Sequence, residues 1–301
     1  MNLRQLEYFL AVASAGSFTA ASARLGVAQP TLTKSIRALE HELGVPLFER
    51  LARGVVVTAF GAVLQRHAGR VGVQVQDAIN ELKSIAGGEA GSVRIGAGPA
   101  WLRRQLPEAT ARIVAAHPAI RISVIGGFDD VLLKMLRNGD LDFVIAELPA
   151  EHNARDLHLE PLTTDRLGIY GRADHPLAGR RNLSAGECLA YPWVMPPHDT
   201  RAQQRLVALF AAADLSPPSI VVETESMAFL LRLVVLSDAL TFTVSTTLKL
   251  VEAQGLGYID VPQFSSIRSA GVITRQGAFV SSAANVVIAE LRRICALDDQ
   301  N

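Results

Sequence analysis

Gln29, Thr31, Thr33, Lys34 and Arg37 stand close together early in the chain. Their chemistry is hydrogen bonding and positive charge, which suits phosphate oxygens and the edges of bases. Leu32, Ile36, Leu39 and Leu43 recur at steps of four, three and four, so they share one helical face and leave Thr31, Thr33, Lys34 and Arg37 on the other. Pro30 falls near the first turn of that helix, where its missing N–H leaves no bond unmade. Ahead of it, Ser17 can cap a shorter helix with Ala20, Ala21 and Leu25 as its apolar face. Gly26 ends that helix and Val27 packs into the corner. Two short helices joined by a tight turn, the second with a polar N-terminal half, form the frame with which a helix-turn-helix enters a major groove. The same periodicity fits an ordinary helical hairpin with a solvated outer face.

Positioning such a face needs support on both sides. Leu3, Leu6, Phe9, Leu10 and Ala13 repeat at helical spacing and predict a preceding helix closed by Gly16. After the turn at Gly44, Val45 and Pro46, the stretch Leu47-Phe48-Glu49-Arg50 and then Gly54 to Thr58 predict a short hairpin, the wing of a winged helix. Arg50 and Arg53 lie there, and Arg53 at the tip can meet a phosphate or the minor groove; a surface turn with a solvated arginine is the plainer alternative. The whole chain carries 29 basic and 29 acidic residues, so a basic DNA-facing surface would be local.

From residue 59 to about 85 one long helix is expected. Leu64, Ala68, Val71, Val75, Ala78, Leu82 and Ile85 alternate at steps of four and three, close to a heptad seam. A narrow apolar stripe of this kind predicts pairing with the same helix of a second subunit, through Leu64, Ala68, Val71, Val75 and Leu82, or packing on its own chain. Gly87, Gly88 and Gly91 mark a joint. Beyond it, strands at residues 92–96, 120–125 and 141–146 alternate with helices at 102–117 and 131–137, which predicts an open, mostly parallel sheet. A strand from residue 167 begins a second α/β set, and a strand at 269–274 with a helix at 282–294 returns to the first. Two lobes joined by two crossings would enclose a hinged cleft. The expected domains are 1–58, 59–87 and 88–301, the last with one lobe at about 92–162 and 268–301 and the other at about 163–267.

The amino-terminal residues closely resemble those of LysR-type transcriptional regulators. The shared pattern is Ala20-Ala21, Leu25, Gln29-Pro30, Ile36 to Glu40, Gly44 to Arg50 and Thr58 to Gly61. Further on, Gly139 to Ile145 and the Asp-His-Pro-Leu at 174–177 resemble the same family's effector domain, more loosely. One residue departs from the pattern: Ala28 stands where the family usually has serine, which removes a helix cap and a phosphate contact and shifts the load to Gln29, Thr31 and the wing. The resemblance implies an all-α winged helix-turn-helix domain, a long linker helix and an α/β effector domain of two Rossmann-like lobes, similar to periplasmic binding proteins. It implies as partners double-stranded DNA at an interrupted palindromic promoter site, a small-molecule effector, and a second subunit in a homodimer, with homotetramers in many relatives. RNA polymerase is a further partner of this reading.

In open α/β sheets, ligands sit beyond the carboxyl ends of strands. That rule selects Gly98, Pro99, Ala100 and Trp101 after the first strand, and Gly126, Gly127 and Phe128 after the second. From the other lobe it selects Pro197, His198, Asp199 and Thr200, with Glu225, Ser226 and Met227. These loops are the effector site that the resemblance implies; the plainer alternative is a set of loops and helix starts. Trp101 and Phe128 could stack on a flat ligand or pack between the lobes. No catalytic residue, metal site or cofactor is expected. Gly96-Ala97-Gly98 is like the start of a dinucleotide loop, but Trp101 occupies the third glycine's place, and no P-loop lysine or Gly-x-Ser-x-Gly appears. His152, Asp156 and His158 fall in a polar stretch taken as a solvated loop. Cys188 and Cys295 lie far apart, which fits a reducing cytoplasm and buried thiols. Glu7 interrupts the opening apolar run and Arg232 the longest one, so no targeting or membrane segment is expected. The competing reading is a solute-binding or enzymatic α/β protein whose first helices serve assembly only.

Overall fold

In the computed structural model, residues 1–51, 54–87 and 91–298 are described. They fall in two units, Met1–Leu82 and Lys83–Asn301. The first opens with a capping box at Asn2, whose side chain accepts from the Gln5 amide while the Gln5 side chain accepts from the Asn2 amide. Helices α1 (Leu3–Ala15), α2 (Phe18–Leu25) and α3 (Gln29–Leu43) follow, each ended by a glycine in the left-handed region, Gly16, Gly26 and Gly44. Strands β1 (Phe48–Arg50) and β2 (Val55–Val57) pair antiparallel as the expected hairpin. Gly54 is required where the hairpin meets the α1–α2 turn. Its φ is +91°, and a Cβ there would lie 2.5 Å from the Gly16 carbonyl oxygen, which accepts from the Val55 amide at 2.9 Å.

Phe9, Val12, Ala21, Leu32, Ile36, Leu39 and Leu47 form the buried centre of this unit, and the Phe48 ring packs on Phe9 and Phe18. Glu40 ties α3 to the hairpin by accepting the amides of Leu47 at 2.8 Å and Phe48 at 3.2 Å. Two helical phases differ from expectation. On α2, Ala20 is exposed and Ser22 takes the inward place; on α3, Leu43 lies past the edge of the core and is exposed. The Thr58 hydroxyl donates to the Pro46 carbonyl and accepts the Gly61 amide, which starts α4 (Ala59–Gly87). The expected seam on α4 divides. Leu64 and Ala68 pack into the core of this unit, because the first turns of α4 lie over it. Val71, Val75 and Leu82 stay exposed, joined by Ile79.

In the second unit, β3 (Gly91–Ala97), α5 (Gln105–Ala116), β4 (Ile120–Gly126), α6 (Asp129–Arg137) and β5 (Phe143–Glu147) alternate as expected, with β3 parallel to both β4 and β5. Then come β6 (Leu157–Arg172), β7 (Trp193–Met195), α7 (Arg201–Ala212), β8 (Ile220–Glu223), α8 (Met227–Val235), β9 (Thr241–Val244), β10 (Leu256–Ile259), β11 (Ser266–Arg275) and α9 (Ser282–Asp298).

The sheet is mixed rather than mostly parallel. Its order is β10-β6-β11-β5-β3-β4 with β9 also on β6, and every pairing of β6 and β11 is antiparallel. The cause is the length of β6. It starts ten residues before the expected Leu167, pairs with β11 along its first part, and ends between β9 and β10. His158 therefore lies in a strand, and Asp156 just before it bonds Arg137 at 2.7 Å. The two largest apolar centres are built on Val93, Ile95, Phe143 and Leu291 and on Ile169, Trp193, Phe210 and Phe242. β6 passes from Leu162, beside the first centre, to Leu167 and Ile169 in the second, and the chain returns from Phe264 through β11 to Ala270 and Val272, so two lobes are joined by two crossings with a cleft between them. Among the described residues no helix is long and apolar enough to cross a membrane.

Candidate nucleic-acid interface and effector cleft

The α3 face in the first unit is open. Gln29, Pro30, Thr31, Lys34 and Arg37 are exposed and Thr33 is half-buried, against the fully buried Leu32, Ile36 and Leu39. Among the described residues neither Lys34 nor Arg37 has an ion-pair partner, so both charges face solvent. Ala28 holds the N-cap position with extended backbone and supplies no side-chain bond, leaving the opening amides of α3 uncapped. Serine there is expected to stabilise the domain by about 1 kcal/mol, read by denaturant unfolding of the full chain, and to tighten DNA binding by adding a hydroxyl at the phosphate-facing end. Arg50 ends β1 in register with Val55. Arg53 lies outside the described residues.

Between the lobes of the second unit lie an inner cavity of about 90 Å³ and an outer one of about 790 Å³. Pro99, Ala100, Phe128 and Thr200 line the inner one; Pro99, Gly127, Phe128, Glu225 and Ser226 line the outer one, with Gly126 and Met227. Five expected residues fall elsewhere. Gly98 packs its backbone on Ala146 and donates its amide to Ile145. Trp101 is 5% exposed and belongs to the first lobe's core, because the 3-10 turn Trp101–Arg103 before α5 rotates it inward. Pro197 closes a turn by accepting the Thr200 amide and hydroxyl. His198 stands out in solvent, 82% exposed and 3.8 Å from Glu223. Asp199 lines neither cavity.

Sequence reasoning missed the charged floor of the cleft. Glu147, 9% exposed at the end of β5, accepts from Arg205 on α7 at 2.5 Å and from Arg268 on β11 at 2.7 Å. Burial pushes its carboxyl up, but Arg268 and Arg205 together hold it below the ordinary carboxylate range. Arg268 also lies 3.7 Å from Asp165. At the rim, Arg103 of the first lobe bonds Glu252 of the second. Arginines on a helix and a late strand carry no local mark of a shared partner.

Asp129 stands apart. Burial drives its carboxyl from 3.8 to about 6, against the pull of Arg201. Its folded pKa exceeds the unfolded one, so the native state binds that proton more tightly. The contribution is fully present below 3.8 and is lost as pH rises through 6. Asp129→Asn is therefore expected to melt above the wild type at pH 7.5, by the equivalent of about 2–3 kcal/mol, with the difference closing toward pH 4. A difference independent of pH would refute this titration.

Comparison with known proteins accounts for both units. The family model described as bacterial regulatory helix-turn-helix protein, lysR family, matches residues 3–62, and that described as LysR substrate binding domain matches residues 86–296. The HTH-type transcriptional regulator GbpR of Azospirillum brasilense is 32% identical over 242 residues, 80% of this chain and 71% of its own length. The SDS degradation transcriptional activation protein of Pseudomonas sp. (strain ATCC 19151) is 32% identical over 294 residues, 95% of this chain and 94% of its own. Full-length CbnR complexed with its target DNA has a TM-score of 0.59 at 21% identity, covering 97% of this chain and 99% of that one. Full-length BenM has a TM-score of 0.56 at 23% identity, covering 99% and 98%. The chain therefore belongs to the LysR family of transcriptional regulators, with a DNA-binding helix-turn-helix domain followed by an effector-binding domain.

Proposed function

We propose that this regulator grips a two-fold-symmetric, interrupted promoter site with paired α3 helices and that a small molecule in the cleft alters the spacing of those helices. Lys34 and Arg37, without an ion-pair partner among the described residues, carry the reading together with exposed Gln29 and Thr31. Such a face supplies both phosphate neutralisation and base-edge bonding. Thr33, Arg50 and Arg53 complete the proposed contact set. The likeness to a relative solved with its target DNA supports this use of the face.

Two reading heads require a pairing element. The exposed stripe Val71, Val75 and Leu82 on α4 is its proposed seat, since an apolar stripe on a long helix is hidden by a second copy. Dimers joined in pairs would give a tetramer. Residues 1–58 would read, 59–87 pair and 88–301 sense. The effector would lie against Pro99, Ala100, Phe128 and Thr200, with Gly127, Glu225 and Ser226 at the outer mouth. A ligand that prefers one arrangement of the lobes shifts their population by its differential affinity. Regulation, with no catalytic step, is the proposed activity.

The test is selection of double-stranded oligonucleotides from a random library by the full chain. Enrichment of an inverted repeat whose half-sites lie whole helical turns apart supports the proposal. Enrichment of a single unpaired half-site, or of nothing, overturns it.

A further inference from the structure

The inner cavity holds an ion pair that is only half made. Arg201 opens α7 in the second lobe and Asp129 opens α6 in the first. Arg201 Nη1 and Asp129 Oδ2 stand 4.0 Å apart, and Arg201 Nε is 3.5 Å from Asp130. Neither the Arg201 nor the Asp129 side chain makes a hydrogen bond to a described residue, whereas Glu147 takes one from each of its arginines. A guanidinium has five N–H donors and a carboxylate about four acceptor sites. Unused donors thus line one wall of the cavity and unused acceptors the facing wall, both partly open to it. Phe128, Met227, Phe242 and Val244 supply apolar surface beside them.

Two simple ligand classes fit badly. A bare anion would satisfy Arg201 but leave the acceptors of Asp129 unmet beside its own charge. A bare cation would satisfy Asp129 but meet Arg201, Arg205 and Arg268. A ligand with both functions on neighbouring atoms meets both walls. We infer that the effector is a carboxylic acid bearing a hydrogen-bond donor, hydroxyl or ammonium, on the adjacent carbon, with its carboxylate on Arg201 and its donor on Asp129. The inference rests on the cleft being the effector site. Burial raises the Asp129 carboxyl, and the ligand's donor would supply the hydrogen bond that the fold does not. Because the pair bridges the lobes, the ligand would bind one lobe arrangement better than others.

The test is thermal melting of the full chain with matched compounds of three sizes. Lactate, 2-hydroxy-3-methylbutanoate and 3-phenyllactate form one arm; alanine, valine and phenylalanine form the second. The same skeletons lacking the 2-substituent, and the same skeletons as amines lacking the carboxylate, are the controls. We expect at least one 2-substituted acid to raise Tm by about 5–10 °C at a hundredfold over its Kd, with neither control doing so. The arm that responds distinguishes hydroxyl from ammonium. Its affinity should fall at least tenfold in both Arg201→Gln and Asp129→Ala. A control that stabilises as well, an affinity unchanged in both variants, or no response from any compound overturns the inference. Ala100→Trp, or Ala100→Leu if the first does not fold, fills the inner cavity and separates the two levels. Stabilisation by a control compound that disappears there refutes the ligand class and keeps the cleft; stabilisation that survives there refutes the cleft itself.

Discussion

Replacing Lys34 and Arg37 together with alanine is expected to weaken binding to the selected DNA at least hundredfold near 0.15 M salt. Both side chains are exposed on α3 and neither has an ion-pair partner among the described residues, so the change removes charge without disturbing the core. Each phosphate neutralised contributes about 0.9 to the slope of log affinity against log salt, so the slope should flatten by about 2 for each reading head. If Arg37 reads a base edge, its loss will also relax preference at one position of the site, by about 1–3 kcal/mol of discrimination. Fluorescence anisotropy across a salt series measures all of this, and circular dichroism should show an unchanged fold. Affinity within threefold of the wild type would mean that α3 does not face the nucleic acid.

Glu147→Ala is expected to lower the stability of the effector domain by about 3–5 kcal/mol, which amounts to about 6–20 °C in Tm. The cost comes from what is left behind. Arg205 and Arg268 both aim at the Glu147 carboxylate, and Arg268 is mostly buried. Without that carboxylate they face each other across the cleft floor. Glu225→Ala at the outer mouth touches an exposed group and should change stability by no more than about 0.5 kcal/mol. Equal effects from the two substitutions would show that the Glu147 cluster is not a buried network in solution.

The helix-turn-helix was legible because its signals are local. Leucines at steps of three and four select a buried face, Ser17 and Gly26 set the ends of a helix, and Ala28 marks a missing cap. The alternation of strands and helices likewise indicated two lobes, because strand and helix periods differ along the chain itself. The loops beyond the strand ends were right in part. Pro99, Ala100, Phe128 and Thr200 do line the inner cavity, while Trp101 turns into the core and His198 out into solvent. A rule about strand ends selects a loop but not the direction in which each of its side chains points.

The sequence by itself determined the order of elements, the helix ends, the family pattern and the polar face of α3. All of these follow from residues within a few positions of one another. Tertiary structure alone decided three things. It made β6 one long strand shared by both lobes, because a partner strand 266–275 pairs along its first part. It drew Leu64 and Ala68 into the first unit's core and left Val71, Val75 and Leu82 outside, because a stripe on a helix does not say what covers each turn. It also gathered Glu147 with Arg205 and Arg268, which lie 58 and 121 positions away. Charge acts through space, and partners so distant along the chain leave no periodic trace in it; only the closing of the fold brings them to one site.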